Sequence, residues 1–342
     1  MPTSSTDRAA RLIGEALGRT APFRSFARRP LCYVDVGAAG GMPPAIAAVA
    51  PFVQAVFFEP DAEEFERVLA AVRGQGFADV HGVSSALGGK RQTSRLHLTV
   101  SRVNSSLLAP NEAFWTRYGN KGGAVERVVD MGCAPMDEAL SGLPVPPDII
   151  KTDCQGLDCE ILEAAPKCLE NAVCVVAEVI IAQAYHGQKG LAEICALLSG
   201  RGFSLYGLIP HYVSCKLLDR RENETNERLM HVDAIFFRDP LSEASPAPKL
   251  TERQEQALFA AACIYGYYDF ALELCRHMPE GPELAAGVRQ LARAAGRCVE
   301  EELGALLGGA QPAGQSPYLR AKLFAEAAQG LNDVAHLRAR KG

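Results

Sequence analysis

Three stretches of this 342-residue chain carry side chains whose types and spacing suit chemistry. The first, Tyr33-Val34-Asp35-Val36-Gly37-Ala38-Ala39-Gly40-Gly41, runs an apolar strand straight into small residues, and Pro43-Pro44 then open a helix, since proline is tolerated in a first turn. A turn stripped of side chains lets a ligand lie against backbone N–H groups at the strand's carboxyl end. The second stretch ends Phe57-Phe58-Glu59-Pro60, with its acid 18 positions after Gly41. From there a doubly wound sheet presents a carboxylate to the hydroxyls of a ribose. The third is Asp148-Ile149-Ile150-Lys151-Thr152-Asp153-Cys154-Gln155-Gly156-Leu157-Asp158-Cys159-Glu160-Ile161-Leu162, an apolar strand that meets a helix rich in acids. Lys151 and Asp153 alternate along that strand, so their side chains share one face and suit an ion pair.

The glycine turn narrows the choice of cofactor. A dinucleotide fingerprint G-x-G-x-x-G starting at Gly37 needs a small residue at position 42, where Met42 stands. Gly37, Ala39 and Gly41, preceded by Asp35, fit the acidic-x-G-x-G-x-G form of S-adenosylmethionine enzymes better. On that reading Gly37, Ala39 and Gly41 approach the amino-acid end of the cofactor, Glu59 and Pro60 the ribose, and Ser84 to Leu87, with Ser85 and Ala86 central, the adenine edge.

These stretches need a sheet to position them. Apolar strands are expected at Leu31 to Val36, Ala55 to Glu59, Ala78 to Val83, Asp148 to Thr152, Val173 to Ile181, Phe203 to Leu208 and Val232 to Phe237, with helices at Asp61 to Gly74, Leu157 to Ala165 and Gly190 to Gly200. Strands alternating with helices argue for an α/β fold, a Rossmann-like sandwich with a seven-stranded, mainly parallel sheet. Alternation from Arg95 to Leu108 suggests an inserted hairpin, and Asn111 to Gly123, with Trp115 and Tyr118, a loop or lid. Residues 1–30 read as an amphipathic helix over Thr6 to Gly18 and a leader. Residues 31–241 form the sheet domain, and 242–250, with prolines at 246 and 248, a linker. Residues 251–342 read as a C-terminal all-helical module, with helices at Glu252 to Tyr265, Tyr268 to Met278, Pro282 to Leu307 and Pro317 to Arg340. Its deletion is expected to leave cofactor binding nearly intact.

Composition limits the partners. Hydrophobic residues make up 48% and charged residues 22%, and 35 basic against 40 acidic residues give a net charge of −5, which offers no global field for nucleic acid or an acidic membrane. No apolar run reaches the roughly 18 residues of a bilayer span, and Met1 to Pro30 lacks the apolar core of a secretory signal. A cytoplasmic location is expected. The eleven cysteines are odd in number, scattered and without Cys-x-x-Cys pairs, so they read as reduced core residues and not as a metal site.

The third stretch resembles the strand-to-helix signature of the FkbM family of S-adenosylmethionine-dependent methyltransferases, K-x-D-x-[EQ]-G-x-[ED]-x-E-x-L. Other segments fall in that family's order: Ser105-Ser106-Leu107, Met136-Asp137, Ala177-Glu178-Val179, Tyr185-His186-Gly187-Gln188, Gly202-Phe203, and His231-Val232-Asp233-Ala234-Ile235-Phe236. The likeness covers Leu31 to Asp239. Ala39 replaces the family's common Asn, and Asp158 its commoner Glu. The resemblance implies a class I methyltransferase sandwich and transfer of a methyl group from S-adenosylmethionine to a hydroxyl of a saccharide, glycan or natural product. Asp153 then orients the acceptor or takes its proton, and Lys151, Glu178 and His186 share the crevice. Gln155, Asp158 and Tyr185 are candidates to bind the acceptor, and Asp153 also borders the cofactor. The C-terminal helices are candidates for a homo-oligomeric or other protein contact. Two rival readings are a nicotinamide-dependent oxidoreductase and a non-catalytic module on the same fold.

Overall fold

The computed structural model describes residue 16 and residues 18–142, 146–218, 226–242 and 249–306. Nearly all of the expected leader helix, most of the linker and the helix expected from Pro317 lie outside the described residues. In chain order the strands are β1 (Leu31–Val36), β2 (Val53–Phe58), β3 (Asp79–Val83), β4 (Ala86–Leu87), β5 (Gln92–Thr99), β6 (Val125–Ala134), β7 (Ile149–Thr152), β8 (Cys174–Ile180), β9 (Ser204–Val213) and β10 (Arg228–Phe237). The helices used below are α1 (Ala21–Phe26), α2 (Pro44–Ala47), α3 (Ala62–Arg73), α4 (Glu112–Arg117), α5 (Met136–Ala139), α6 (Asp158–Glu163), α7 (Pro166–Asn171), α8 (Leu191–Ser199), α9 (Glu252–Ile264), α10 (Tyr268–Cys275) and α11 (Gly281–Leu306).

Seven strands form one sheet in the order β3-β2-β1-β7-β8-β10-β9. β3, β2, β1, β7 and β8 run parallel, while β10 is antiparallel to both β8 and β9. This is the expected Rossmann-like sandwich. Every position of β1, β2 and β8 is buried, which is why each reads as an apolar run interrupted by one polar residue, Asp35, Gln54 and Glu178, and not as an alternating one. Alternate residues feed two cores. Leu31, Tyr33, Ala55, Phe57 and Ile149 face α1, α2 and α3, whereas Cys32, Val34, Val56, Phe58 and Ile150 face α6, α7 and α8.

The helices after the linker belong to the first of these cores. α9 starts in a capping box between Thr251 and Gln254, and all of Ala257 to Ile264 is buried, together with Phe270, Leu274, Leu284 and Val288. Arg253 Nη2 also meets Asp148 Oδ2 at 2.6 Å at the start of β7. As far as residue 306 the described part is helical, and it shares one core with the sheet. A helix apolar on every side, as Leu258 to Ile264 is, has to be enclosed by neighbours.

The insertion after β3 also departs from its expected shape. β5 pairs along its length with β6, and only His97 bridges Ser106 within the expected hairpin. β4, β6 and β5 thus form a second, three-stranded sheet. Within the stretch expected as a lid, α4 buries Phe114, Trp115 and the following Tyr118 against Tyr185, so it is an anchor. The ten described cysteines are all unpaired.

Candidate functional site

Four strand ends, those of β3, β2, β1 and β7, meet at the carboxyl edge of the sheet. Gly37 N–H donates to Phe58 O at 3.0 Å, Asp153 N–H to Val36 O at 2.8 Å, and Glu59 N–H to Val83 O at 3.2 Å. Gly37 is left-handed, with φ 84°, and a Cβ there would overlap the carbonyl oxygen of Asp153. Glycine is therefore what lets the first turn lie directly against the tip of β7. The space above these ends is a partly open cleft. Gly37, Ala39, Glu59, Pro60, Ser85, Ala86 and Asp153 line it, with Leu96 and Leu98 of the second sheet. The short turn Arg102–Asn104 and Ser105 to Leu107 form its roof. Arg102 Nε reaches Asp61 Oδ2 at 3.2 Å, and Ser106 Oγ donates to Gln155 O at 3.0 Å.

Glu59 is 4% exposed, and its Oε1 accepts from Asp61 N–H at 2.8 Å. Burial pushes its carboxyl up to about 7, against the pull of the backbone N–H groups of Asp61 and Ala39. Asp61 in turn caps α3, its Oδ1 accepting from Glu63 N–H and Glu64 N–H at 2.9 and 3.3 Å.

On the other side of the cleft Lys151 Nζ lies 3.1 Å from Asp35 Oδ1 and 3.5 Å from Asp153 Oδ2, the ion pair that alternation along β7 suggested. Burial opposes its charge, but Asp35 and Asp153 raise the ammonium above its ordinary range. Gln155 Nε2 donates to Asp153 Oδ1 at 3.0 Å and also to Glu178 Oε2, while Gln155 Oε1 accepts from Tyr185 Oη at 2.8 Å. Burial first, then the charge of Asp153, raises Glu178 well above the carboxylate range. Burial also works against an ionised Asp153, yet Lys151 and hydrogen bonds from Glu178 and Gln155 hold it below its ordinary value. His231 Nε2 stands 3.3 Å from Glu178 Oε1, stacks on His211 with centroids 4.3 Å apart, and is lowered to about 4 by burial and then by His211.

Other sequence candidates lie elsewhere. Asp35 is fully buried beneath the turn, and Gly41 is not part of the cleft lining. Gln155 and Tyr185 are 7% and 1% exposed, so they link protein groups and leave little surface for an acceptor. Asp158, 1% exposed, accepts from Cys154 N–H at 3.0 Å and Gly156 N–H at 3.3 Å, which fixes the turn instead of facing a ligand. His186 is exposed, and its backbone N–H donates to Ala109 O. Sequence reasoning missed Arg102, Asn104, His211 and the His231 side chain. The signal for the last was present, because His231 and Asp233 alternate on an otherwise apolar strand. Among the described residues no group of three or more His, Cys, Asp or Glu could hold a metal ion, and no helix is long and apolar enough to cross a membrane.

No protein-family model matches the chain, and no curated protein matches it. Among solved structures it is similar to magnesium protoporphyrin IX methyltransferase from Synechocystis PCC 6803, solved with bound SAM, at 9% identity and a TM-score of 0.33 over 68% of this chain and 79% of that one. It is also similar to precorrin-6y C5,15-methyltransferase from Geobacter metallireducens GS-15, at 11% identity and a TM-score of 0.32 over 62% and 83% of the two chains. A third is the Methanococcus jannaschii fibrillarin pre-rRNA processing protein, at 11% and 0.32 over 61% and 66%.

Proposed function

We propose that the protein is an S-adenosylmethionine-dependent methyltransferase of FkbM type that methylates a hydroxyl of a saccharide, glycan or natural product. The observation that carries this reading is the convergence of Gly37, Glu59 and Asp153 on one cleft. The side-chain-free turn offers backbone N–H groups to the amino-acid portion of the donor. Glu59 offers a carboxylate to its ribose, and Ser85 and Ala86 border the adenine. The bound donor supplies a methyl group already activated on a sulfonium.

What remains for the chain is positioning and proton handling. Holding two reactants at attack distance supplies about 7–11 kcal/mol in favourable cases. Asp153 is 35% exposed at the cleft wall and is the ionised carboxylate there, so it orients the acceptor hydroxyl and accepts its proton. A placed base contributes typically 10²–10⁴-fold. Lys151 holds Asp153 in place from within the strand, and the roof Arg102–Asn104 keeps water from the donor. The acidic surroundings of Asp153 favour neutral acceptors over phosphorylated ones. Incubation with methyl-labelled S-adenosylmethionine and a panel of hydroxylated acceptors, with the labelled position located by NMR, tests the reading. Label on an acceptor oxygen that is lost in Asp153→Ala is expected, and label appearing only on nitrogen would overturn the choice of oxygen.

A further inference from the structure

We propose that Asp153 and Glu178, clamped by Gln155, act as one proton-sharing pair that takes up the acceptor's proton as the donor's positive charge disappears. The proposal rests on the methyl-transfer reading and deepens it. Gln155 is the first support. It is a buried non-glycine residue at φ 50°, a conformation that L side chains adopt only under constraint. Tyr185 Oη donates to its Oε1, so Nε2 faces the carboxyl groups and gives one hydrogen to Asp153 and the other to Glu178. A buried and a half-buried carboxyl group on one amide nitrogen, with the Lys151 ammonium as the one cation beside them, do not both ionise until a further positive charge is brought in.

The neighbours decide where the single proton rests. Lys151 from β7 is within 3.5 Å of Asp153 and is itself paired with Asp35 of β1. Around the pair stand Asp158 of α6, Tyr185 from the loop after β8, and His231 and Asp233 of β10. His231, which touches Glu178, is neutral near pH 7 and brings no positive charge to it. The cation among these groups lies on the Asp153 side, so the proton sits on Glu178. The pair therefore presents one negative charge at the cleft and keeps one hydrogen in reserve.

Methylation of a hydroxyl then balances without a further base. The acceptor oxygen bonds the methyl carbon, the carbon–sulfur bond breaks with its electrons left on sulfur, and the hydroxyl proton passes to Asp153. One positive and one negative charge vanish together, so the net charge of the crevice is unchanged in the step. Until that moment a positive group beside Asp153 favours ionisation of the whole pair, Glu178 included.

Proton-linked calorimetry reads this directly and needs no acceptor. The unmodified protein is titrated at pH 7 with S-adenosylmethionine and with S-adenosylhomocysteine, each in two buffers of different ionisation enthalpy. The cationic ligand is expected to release more protons than the neutral one, by up to about one per site. Glu59, which also titrates near neutrality, faces the part common to both ligands and cancels in the difference. In Glu178→Gln, whose carboxyl lies outside the cleft lining, the difference is expected to vanish while S-adenosylhomocysteine still binds. Equal proton release from both ligands by the unmodified protein, or a difference that survives the substitution, overturns the pair alone. Failure of both ligands to bind overturns the methyl-transfer reading and the pair with it.

Discussion

The two halves of the cleft are built by different means. On the β1–β2 side the site is backbone: a left-handed glycine packed on the carbonyl of Asp153, N–H groups, and one buried acid held by its own following turn. On the β7–β8–β10 side Asp153 lines the cleft, and behind it Lys151, Gln155, Glu178, Tyr185 and His231 reach each other from three strands and two connecting segments. At Gly37 the first half has no room for an added Cβ, whereas the second half ties two carboxyl groups to one buried amide.

That contrast can be broken in several ways. Removal of residues 251–342 is expected to have the largest effect and to disable both halves together, because it uncovers the face of the sheet that α9 buries. Each large apolar side chain so exposed costs about 1.5–3 kcal/mol, and circular dichroism of the truncated chain should show no cooperative transition. A folded truncation that binds S-adenosylhomocysteine normally would return these helices to the status of an appendage.

Gly37→Ala strikes the backbone half alone. Overlap with Asp153 O and the left-handed φ together should cost about 3 kcal/mol or more in urea denaturation, with ligand binding abolished. Stability within 0.5 kcal/mol of the parent, about the level of a neutral surface substitution, would contradict the packing described for that turn.

Glu59→Gln sharpens the comparison through pH. Hydrogen bonds to charged groups contribute about 1.5–3 kcal/mol, so affinity for S-adenosylhomocysteine should fall at least roughly tenfold at pH 8. Because the folded carboxyl titrates near 7, above its ordinary value of 4.5, it subtracts stability progressively as pH rises from 4.5 through 7. The glutamine variant should therefore gain on the parent in melting temperature across that window and hold its gain above it. A stability difference independent of pH would show that Glu59 is not desolvated.

The smallest effect is expected from Tyr185→Phe in the side-chain half. The hydroxyl donates to Gln155 Oε1 and lies 2.9 Å from Asn104 O, so its loss should cost about 1 kcal/mol of stability and leave affinity for S-adenosylhomocysteine within twofold. A large loss of affinity would mean that the roof over the cleft is held mainly from the acceptor side.

The sequence is legible where local chemistry decides the outcome. β1 has the span expected from its apolar run, β7 is one residue shorter at its start, and β8 is one residue shorter at each end. Gly37 and Glu59 were legible because a tight turn and a strand-end acid are short-range patterns. β6 was missed because Val125-Glu126-Arg127-Val128-Val129-Asp130 is largely exposed and gains its strand identity from β5, far along the chain. Gln155 and Tyr185 read as acceptor ligands because their polarity was visible and their mutual contact was not. α9 was read as part of an appendage for the same reason, since the face it covers is set by residues more than two hundred positions earlier.

Calorimetric titration of the unmodified protein with S-adenosylhomocysteine and, separately, with NAD⁺ tests the central claim most directly. Saturable one-to-one binding of S-adenosylhomocysteine, weakened in Glu59→Gln, with no heat from NAD⁺, is expected of a cleft formed by Gly37, Glu59 and Asp153. Binding of NAD⁺ with none of S-adenosylhomocysteine would contradict it.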